Sequence, residues 1–194
     1  MAQYKATPLY GGAMTVELPA NFQDVSDIRQ VPDNQEVFLD KSGFTSIVFD
    51  ILERVEVGAQ KSDQDALKHH LSDILEDDAE RAQTWVSSTA VLSKLPPQTP
   101  AYTLFATQHS SPDRIARGKA PDFTGILLTL VRLEKQKTDV VVSINVPHPP
   151  GEYDPDEVDP AKGKHGRLLD AALLYRDRIL RTFEIRDWDL FVEE

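Results

Sequence analysis

The chain contains no cysteine, which excludes disulfides, a thiol nucleophile and Cys-ligated zinc or iron–sulfur sites, and makes a reducing compartment the natural setting. No apolar run approaches the roughly 18 residues that a membrane-spanning helix needs, and the segment after Lys5 is too mixed to read as a signal peptide. Basic charge is also scarce: 21 Lys and Arg stand against 32 Asp and Glu, a formal net charge of −11 at pH 7. Nucleic-acid and anionic-membrane binders present a basic footprint, so neither class of partner is expected, and any charged partner should be cationic.

Chemical motifs are equally sparse. There is no G-x-S-x-G nucleophile elbow, no H-E-x-x-H and no phosphate-binding G-x-x-x-x-G-K-[ST], for Gly163-Lys164-His165-Gly166-Arg167 matches the last only superficially. His69 and His70 are adjacent and so diverge on a helix, unlike metal ligands four residues apart, while His109, His148 and His165 stand isolated. No catalytic residue, metal ligand or cofactor is therefore assigned.

What is present is an ordinary globular composition, with 40% hydrophobic and 27% charged residues over 194 positions, enough for one domain spanning 1–194 and a sizeable core. Met14, Val16 and Leu18 alternate with Ala13, Thr15 and Glu17 after the Gly11-Gly12 turn, the pattern of a half-buried strand. Residues 36–39 and 45–52 read as further strands, the second apolar on both faces and therefore central. Ser62 and Asp65 form a capping box with Asp in place of Glu, and Leu67, Leu71, Ile74 and Leu75 then share one face of a helix near 63–80.

Residues 84–93 and 101–109 predict two more strands, and 124–134 with 138–146 a hairpin. The aromatics of these strands, Trp85, Tyr102, Phe105 and Phe123, read as core. A loop rich in proline and acids follows from Pro147 to Gly163, and a helix over 166–184 returns to the core. Phe49, Ile51 and Leu173 are expected in one core between sheet and helix. The whole predicts an α+β layer sandwich, mostly antiparallel sheet flanked by helices.

Charge is unevenly placed: residues 17–80 hold sixteen acids against five bases, so the remainder is close to neutral. Such a field can steer a basic partner or simply aid solubility. Within it, Val31-Pro32-Asp33-Asn34-Gln35-Glu36-Val37-Phe38 sets two carboxylates three residues apart where a proline-restricted turn enters a strand. Residue chemistry alone leaves three readings of this turn open: ordinary turn structure, a protein-binding patch, or a general acid and base.

That octet, with Pro8-Leu9-Tyr10-Gly11-Gly12-Ala13, Asp24-Val25-Ser26 through Arg29, the late strand Thr138 to Pro147 and the tail Asp187-Trp188-Asp189-Leu190-Phe191, resembles the Ran guanine-nucleotide release factor family, the Mog-type proteins of nuclear transport. The resemblance implies a Mog/PsbP-like α/β sandwich, binding of the GTPase Ran, and release of Ran's guanine nucleotide without chemical turnover. It implies Asp33 and Glu36 as Ran-binding residues, with Asn34 and Gln35 between them. Asp24 and Asp27 are added on the charge argument, since they precede the same turn. A nuclear and cytoplasmic monomer is expected, with other nuclear-transport factors as further partners. The competing reading is a trafficking adaptor whose contact with Ran is incidental.

Overall fold

The computed structural model describes residues 2–56, 58, 62–118 and 120–191. Among the described residues, ten strands form two sheets. The smaller contains β1 (Tyr4–Leu9), β2 (Met14–Pro19) and β10 (Glu184–Ile185), with β2 in the middle and both neighbours antiparallel to it. The larger contains β3 (Phe22–Asp24), β4 (Gln35–Asp40), β5 (Ser46–Glu53), β6 (Ala82–Thr89), β7 (Ala101–His109), β8 (Phe123–Leu133) and β9 (Thr138–His148). Its order is β3-β4-β5-β9-β8-β7-β6, antiparallel throughout. Three helices, α1 (Asp63–Leu75), α2 (Pro112–Ala116) and α3 (Gly166–Thr182), complete the α+β sandwich.

The layers follow from burial. β8 and β9 are buried on both faces over most of their length, as their continuous apolar sequences require. On one face α1 packs Ala66, Leu67, Leu71 and Leu75 against Leu104, Ile126, Leu128, Leu130 and Val141. On the other face, α3 and the small sheet meet Phe38, Phe49, Leu127, Val142 and Val146 in the main core. There Phe49 stacks parallel to Phe183 at 6.4 Å and meets Phe38 edge-on at 6.2 Å. Gly125 on β8 lets α3 approach, since a Cβ there would collide with Leu169 Cδ2.

The capping box forms as expected, with Ser62 N–H donating to Asp65 Oδ2 at 2.8 Å. Several expectations need correction. β5 lies inside the sheet, but β8 and β9 are the strands covered on both sides. The α1 helix stops at Leu75, not near 80, because Glu76 takes a positive φ and the chain continues as a 3-10 turn to Arg81. The sixth strand ends at Thr89: beyond it, Ser93 N–H bonds to the Leu180 carbonyl at the end of α3 instead. β9 runs on through Pro147 to His148, so the acidic loop starts later than read, and 3-10 turns at Pro155–Glu157 and Pro160–Lys162 shape it. The terminal helix ends at Thr182, and the chain re-enters the small sheet as β10.

Strands β1, β3 and β10 and helix α2 escape the pattern reading because none is long enough, or regular enough, to show a period. β1 also contains Pro8, which an edge strand tolerates. Phe105 and Phe123 are buried as expected, whereas Trp85 and Tyr102 are half-buried and keep polar partners, Thr107 Oγ1 and Asp63 Oδ2. Leu173 and Ile51 flank the main core as half-buried residues, with Phe49 fully inside.

One polar cluster sits inside the α1 layer. Arg132 and Asp139 are direct partners across the β8–β9 hairpin, and neither side chain reaches solvent. Arg132 Nε donates to Asp139 Oδ1 at 3.1 Å, its Nη1 to Asp63 Oδ1 at 2.5 Å and its Nη2 to the Val55 carbonyl. His70 Nε2 lies 2.8 Å from Asp139 Oδ2, which also accepts the Val55 N–H at 3.0 Å. His70 is thus a buried anchor of α1, while His69 pairs with Asp73 at the surface. Burial would raise the Asp139 carboxyl, but the bonds from His70, Val55 and Arg132 outweigh it and hold its pKa below the ordinary value.

Two outcomes are expected. Leu169→Ala, at a fully buried site, should cost about 2–5 kcal/mol in urea unfolding, and Leu173→Ala less, because Leu173 is only partly buried at the margin of the core. Since the folded Asp139 pKa is depressed, its stabilisation is complete above the unfolded-state carboxylate pKa and disappears as pH falls through the folded value. Acid unfolding curves should therefore show a loss of stability below about pH 4 that is weaker in a folded Asp139→Asn variant.

Candidate functional site

The acidic turn enters the fold at the β3 flank of the large sheet, where short β3 leaves most of β4 near the edge. β3 and β4 pair Asp24 with Phe38, and β4 and β5 pair Glu36 with Phe49 and Gln35 with Asp50. Glu36 therefore lies on the α3 side of the sheet, with Phe38, and Gln35 on the α1 side. Asp24 also falls on the α3 side, close enough that its charge raises the Glu36 pKa. Of the six residues singled out, Asp27, Asp33 and Asn34 are exposed and Asp24, Gln35 and Glu36 half-buried.

Their roles differ once the bonds are traced. Asp24 Oδ1 accepts the Ser26 N–H at 2.8 Å and so caps the 3-10 turn Val25–Asp27, which packs on β4 and carries Asp27 at its end. Asn34 anchors the turn through backbone and side chain: its carbonyl accepts the Ile51 N–H at 2.9 Å and its Nδ2 donates to the Ile51 carbonyl at 3.3 Å. Gln35 bonds to the buried Asp50 carboxyl, which desolvation pushes up in pKa and the Gln35 bond and the His70 charge draw back. Asp33 lies at the exposed tip, on a turn closed by Gln35 N–H to the Pro32 carbonyl at 2.9 Å.

Glu36 is tied to a segment read only as a turn in the sequence. Its Oε1 accepts the Tyr10 N–H at 2.6 Å, and Tyr10 directs its hydroxyl to the carbonyls of Phe49 at 2.9 Å and Asn34 at 3.1 Å. Tyr10, Gly11 and Gly12 all have positive φ, a conformation that costs a tyrosine energy and that these bonds stabilise. Burial raises the Glu36 pKa first, the Tyr10 N–H partly offsets it, and Asp24 adds to the rise. Glu36 is thus a half-buried carboxylate joining the two sheets. Tyr10 is the site residue that sequence reasoning missed; its position before Gly11-Gly12 is the signal that it closes a constrained turn.

The arrangement can present negative charge to a cationic group and hold it in register, since four carboxylates, Asp24, Asp27, Asp33 and Glu36, gather within two turns and one strand end. Arg29 is the base interspersed among them. Among the described residues, no group of three or more His, Asp and Glu side chains is placed to hold a metal ion.

Residues 7–147 match the family described as Ran-interacting Mog1 protein. The chain is 29% identical to a probable Ran guanine nucleotide release factor of Dictyostelium discoideum, with 97% of each chain aligned. It is 30% identical to nuclear import protein MOG1 of Saccharomyces cerevisiae, over 96% of this chain and 84% of that one. Its structure superposes on the crystal structure of the Saccharomyces cerevisiae Ran-binding protein Mog1p with a TM-score of 0.74 at 26% identity, covering 99% and 100% of the two chains. A cyanobacterial PsbP shares the fold alone, with a TM-score of 0.59 at 10% identity. The matched span contains the acidic turn, the Tyr10 turn and the central hairpin, and the chain belongs to the Ran-interacting Mog1 family.

Proposed function

We propose that this chain binds the GTPase Ran and promotes release of its bound guanine nucleotide, acting as one Ran-binding domain over residues 1–194 in protein transport between nucleus and cytoplasm. The observation that carries this reading is the acidic turn itself. In a chain related over nearly its whole length to Ran guanine nucleotide release factors, Asp33 stands exposed beside a braced Glu36, with Asp24 and Asp27 on the adjoining turn. Those four carboxylates, with Asn34 and Gln35 holding the backbone between them, are the Ran-binding residues in this reading. The protein acts as a monomer without chemical turnover, in nucleus and cytoplasm, and other transport factors join the same cycle.

The mechanism follows from linkage. A GTPase cradles anionic phosphates with a lysine, backbone N–H groups and Mg²⁺, so nucleotide loss leaves cationic groups without partners. Carboxylates that meet those groups, or a basic surface that changes with them, bind the empty GTPase better than the loaded one. Nucleotide affinity must then fall by the same factor, and a 1,000-fold preference corresponds to roughly 4 kcal/mol of differential binding. Preorganisation favours this role for Glu36, because its bond to Tyr10 fixes the side chain before any partner arrives.

The test is release of a fluorescent guanine nucleotide from purified Ran. Asp33→Asn and Glu36→Gln keep size and, at Glu36, an acceptor for the Tyr10 N–H, so folding should be spared. Each is expected to weaken binding by about 1.5–3 kcal/mol, roughly ten- to 150-fold, and to slow release accordingly. The double variant should be less than additive if both acids meet one cationic cluster. Raising ionic strength should slow association of the wild type more than of the double variant. A folded double variant that binds and releases like the wild type removes this turn from the interface; intact Ran binding without accelerated release favours an adaptor.

A further inference from the structure

We infer that the cleft at the end of the large sheet, beside the acidic turn, takes an anionic side chain of Ran, received by Lys135 and Lys137. The inference rests on the Ran reading above and deepens it, because the partner then meets a surface of two signs. The cleft, of about 700 Å³, lies between the end of β5, the β8–β9 turn and the C-terminal 3-10 turn Trp188–Phe191. Ile51, Leu190 and Phe191 give it an apolar wall, while Arg54, Lys135 and Lys137 stand in its lining against Glu53 and Glu56. Glu56 is already engaged by Arg54 at 3.4 Å. Among the described residues, neither exposed lysine has a hydrogen-bond or ion-pair partner for its ammonium, and the buried Arg54 Nε also lacks one. In a chain of formal charge −11, this cleft has a positive sign of its own.

The cleft is joined to the acidic turn by direct bonds. β4 starts, β5 ends and β9 starts at one end of the sheet, where Gln35 pairs with Asp50 and Glu53 with Thr138. The two bonds between Asn34 and Ile51 attach the turn to the cleft wall, and on the other side the Arg54 N–H bonds to the Lys137 carbonyl at 2.9 Å. Ile51 shares the sheet face of Glu36, and Phe191 packs on the core beneath that face. The tail that supplies Leu190 and Phe191 is tied to the Tyr10 turn as well, since the N–H groups of Arg186 and Asp187 donate to the Ala13 carbonyl at 2.9 and 3.0 Å. Two strand spacings, roughly 10 Å, separate β4 from β9, so one partner face of ordinary size spans both charge groups.

Lys137 supplies a second, independent observation. Its φ of +50° is left-handed, the conformation for which hairpin turns use Gly or Asn. The turn thus carries a lysine where a less strained residue fits, and strain of this kind clusters at sites that hold a ligand. The occupant is Ran because the cleft shares its wall and its bonds with the turn proposed to bind Ran. Opposite charges side by side also fix how that partner docks, since rotating it would set like charges together. The apolar wall and the two acids in the lining suit an anion carried on a protein side chain, not a polyphosphate.

The test measures Ran affinity for Lys137→Asn, for Lys135→Gln/Lys137→Asn and, as a control, for Arg117→Gln, an exposed base in the β7–β8 connection at the opposite end of the sheet. By net charge alone, removing any base from this acidic chain strengthens its attraction for a cationic surface, so Lys137→Asn and Arg117→Gln would behave alike. The cleft requires them to differ. Lys137→Asn should weaken binding about three- to tenfold and the double variant about tenfold or more, while Arg117→Gln binds as tightly as the wild type or slightly tighter. Asn tolerates positive φ, so the unfolding midpoint of Lys137→Asn should equal or exceed that of the wild type, which separates lost binding from lost folding. Wild-type affinity in the double lysine variant, or an equal loss in Arg117→Gln, overturns the inference; Ran binding that still depends on Asp33 and Glu36 then keeps the underlying reading. Binding of free GDP by the wild type, abolished in the double lysine variant, also overturns it, because the occupant is then a phosphate. If the wild type does not bind Ran, the underlying reading itself fails.

Discussion

The fold is organised around a charge that cannot reach water. Arg132 is fully buried in the central hairpin, and a guanidinium there is tolerable only with anions and acceptors on every side. Asp139 supplies the anion across the hairpin, Asp63 a second from the first turn of α1, and Val55 a carbonyl from the segment leaving β5. Asp139 in turn holds His70 near the middle of the same helix. One buried cation thereby fixes where α1 begins, how it lies on the sheet and where Val55 sits after β5. Removing either charge of the Arg132–Asp139 pair would strand the other at a cost of about 3–5 kcal/mol, comparable to the burial of two leucine side chains of α1.

With α1 committed to the β7–β8 side, the opposite flank of the sheet is left thin. There β3 is three residues long, and the chain closes the edge with turns capped by Asp24 and Asp40 instead of with a long strand. The same economy shapes the other face, where Glu36 reaches from β4 to the Tyr10 turn and ties the small sheet to the large one. The candidate binding surface is therefore not an appendage to a finished fold. It is the place where the two sheets are sutured, and its acids divide between holding backbone and facing solvent.

That division explains why so acidic an edge can be both stable and reactive. Half-buried Glu36 is raised in pKa by desolvation and by Asp24, so its ionised form is under electrostatic strain that a cationic partner would relieve. Asp33, at the exposed tip, is available for steering at long range. Asx-type caps keep the backbone of both adjoining turns fixed, so the surface is presented without an ordering step.

Much of the architecture was legible in the sequence because local rules and tertiary packing agree there. Period-two alternation placed β2, the hairpin signal across residues 134–137 placed β8 and β9, and the Ser62–Asp65 box with its apolar stripe placed the start of α1. The acidic turn could be singled out from Asp33 and Glu36 alone, and its family resemblance from the residues around it. What sequence could not supply depends on long-range partners. The end of α1 at Leu75, the three-residue β3 and the return of the chain as β10 are decided by what packs or bonds against them, not by propensity. The role of Glu36 is the clearest case: its carboxylate looks like any solvent-facing acid until the Tyr10 N–H, 26 positions away, is brought to 2.6 Å. Sequence determines which residues can carry charge, cap a turn or fill a core, since those are properties of side chains and near neighbours. Only the tertiary structure decides which carboxylates are already bonded and which stay free for a partner, because desolvation and hydrogen-bond geometry depend on distances between parts of the chain far apart in sequence.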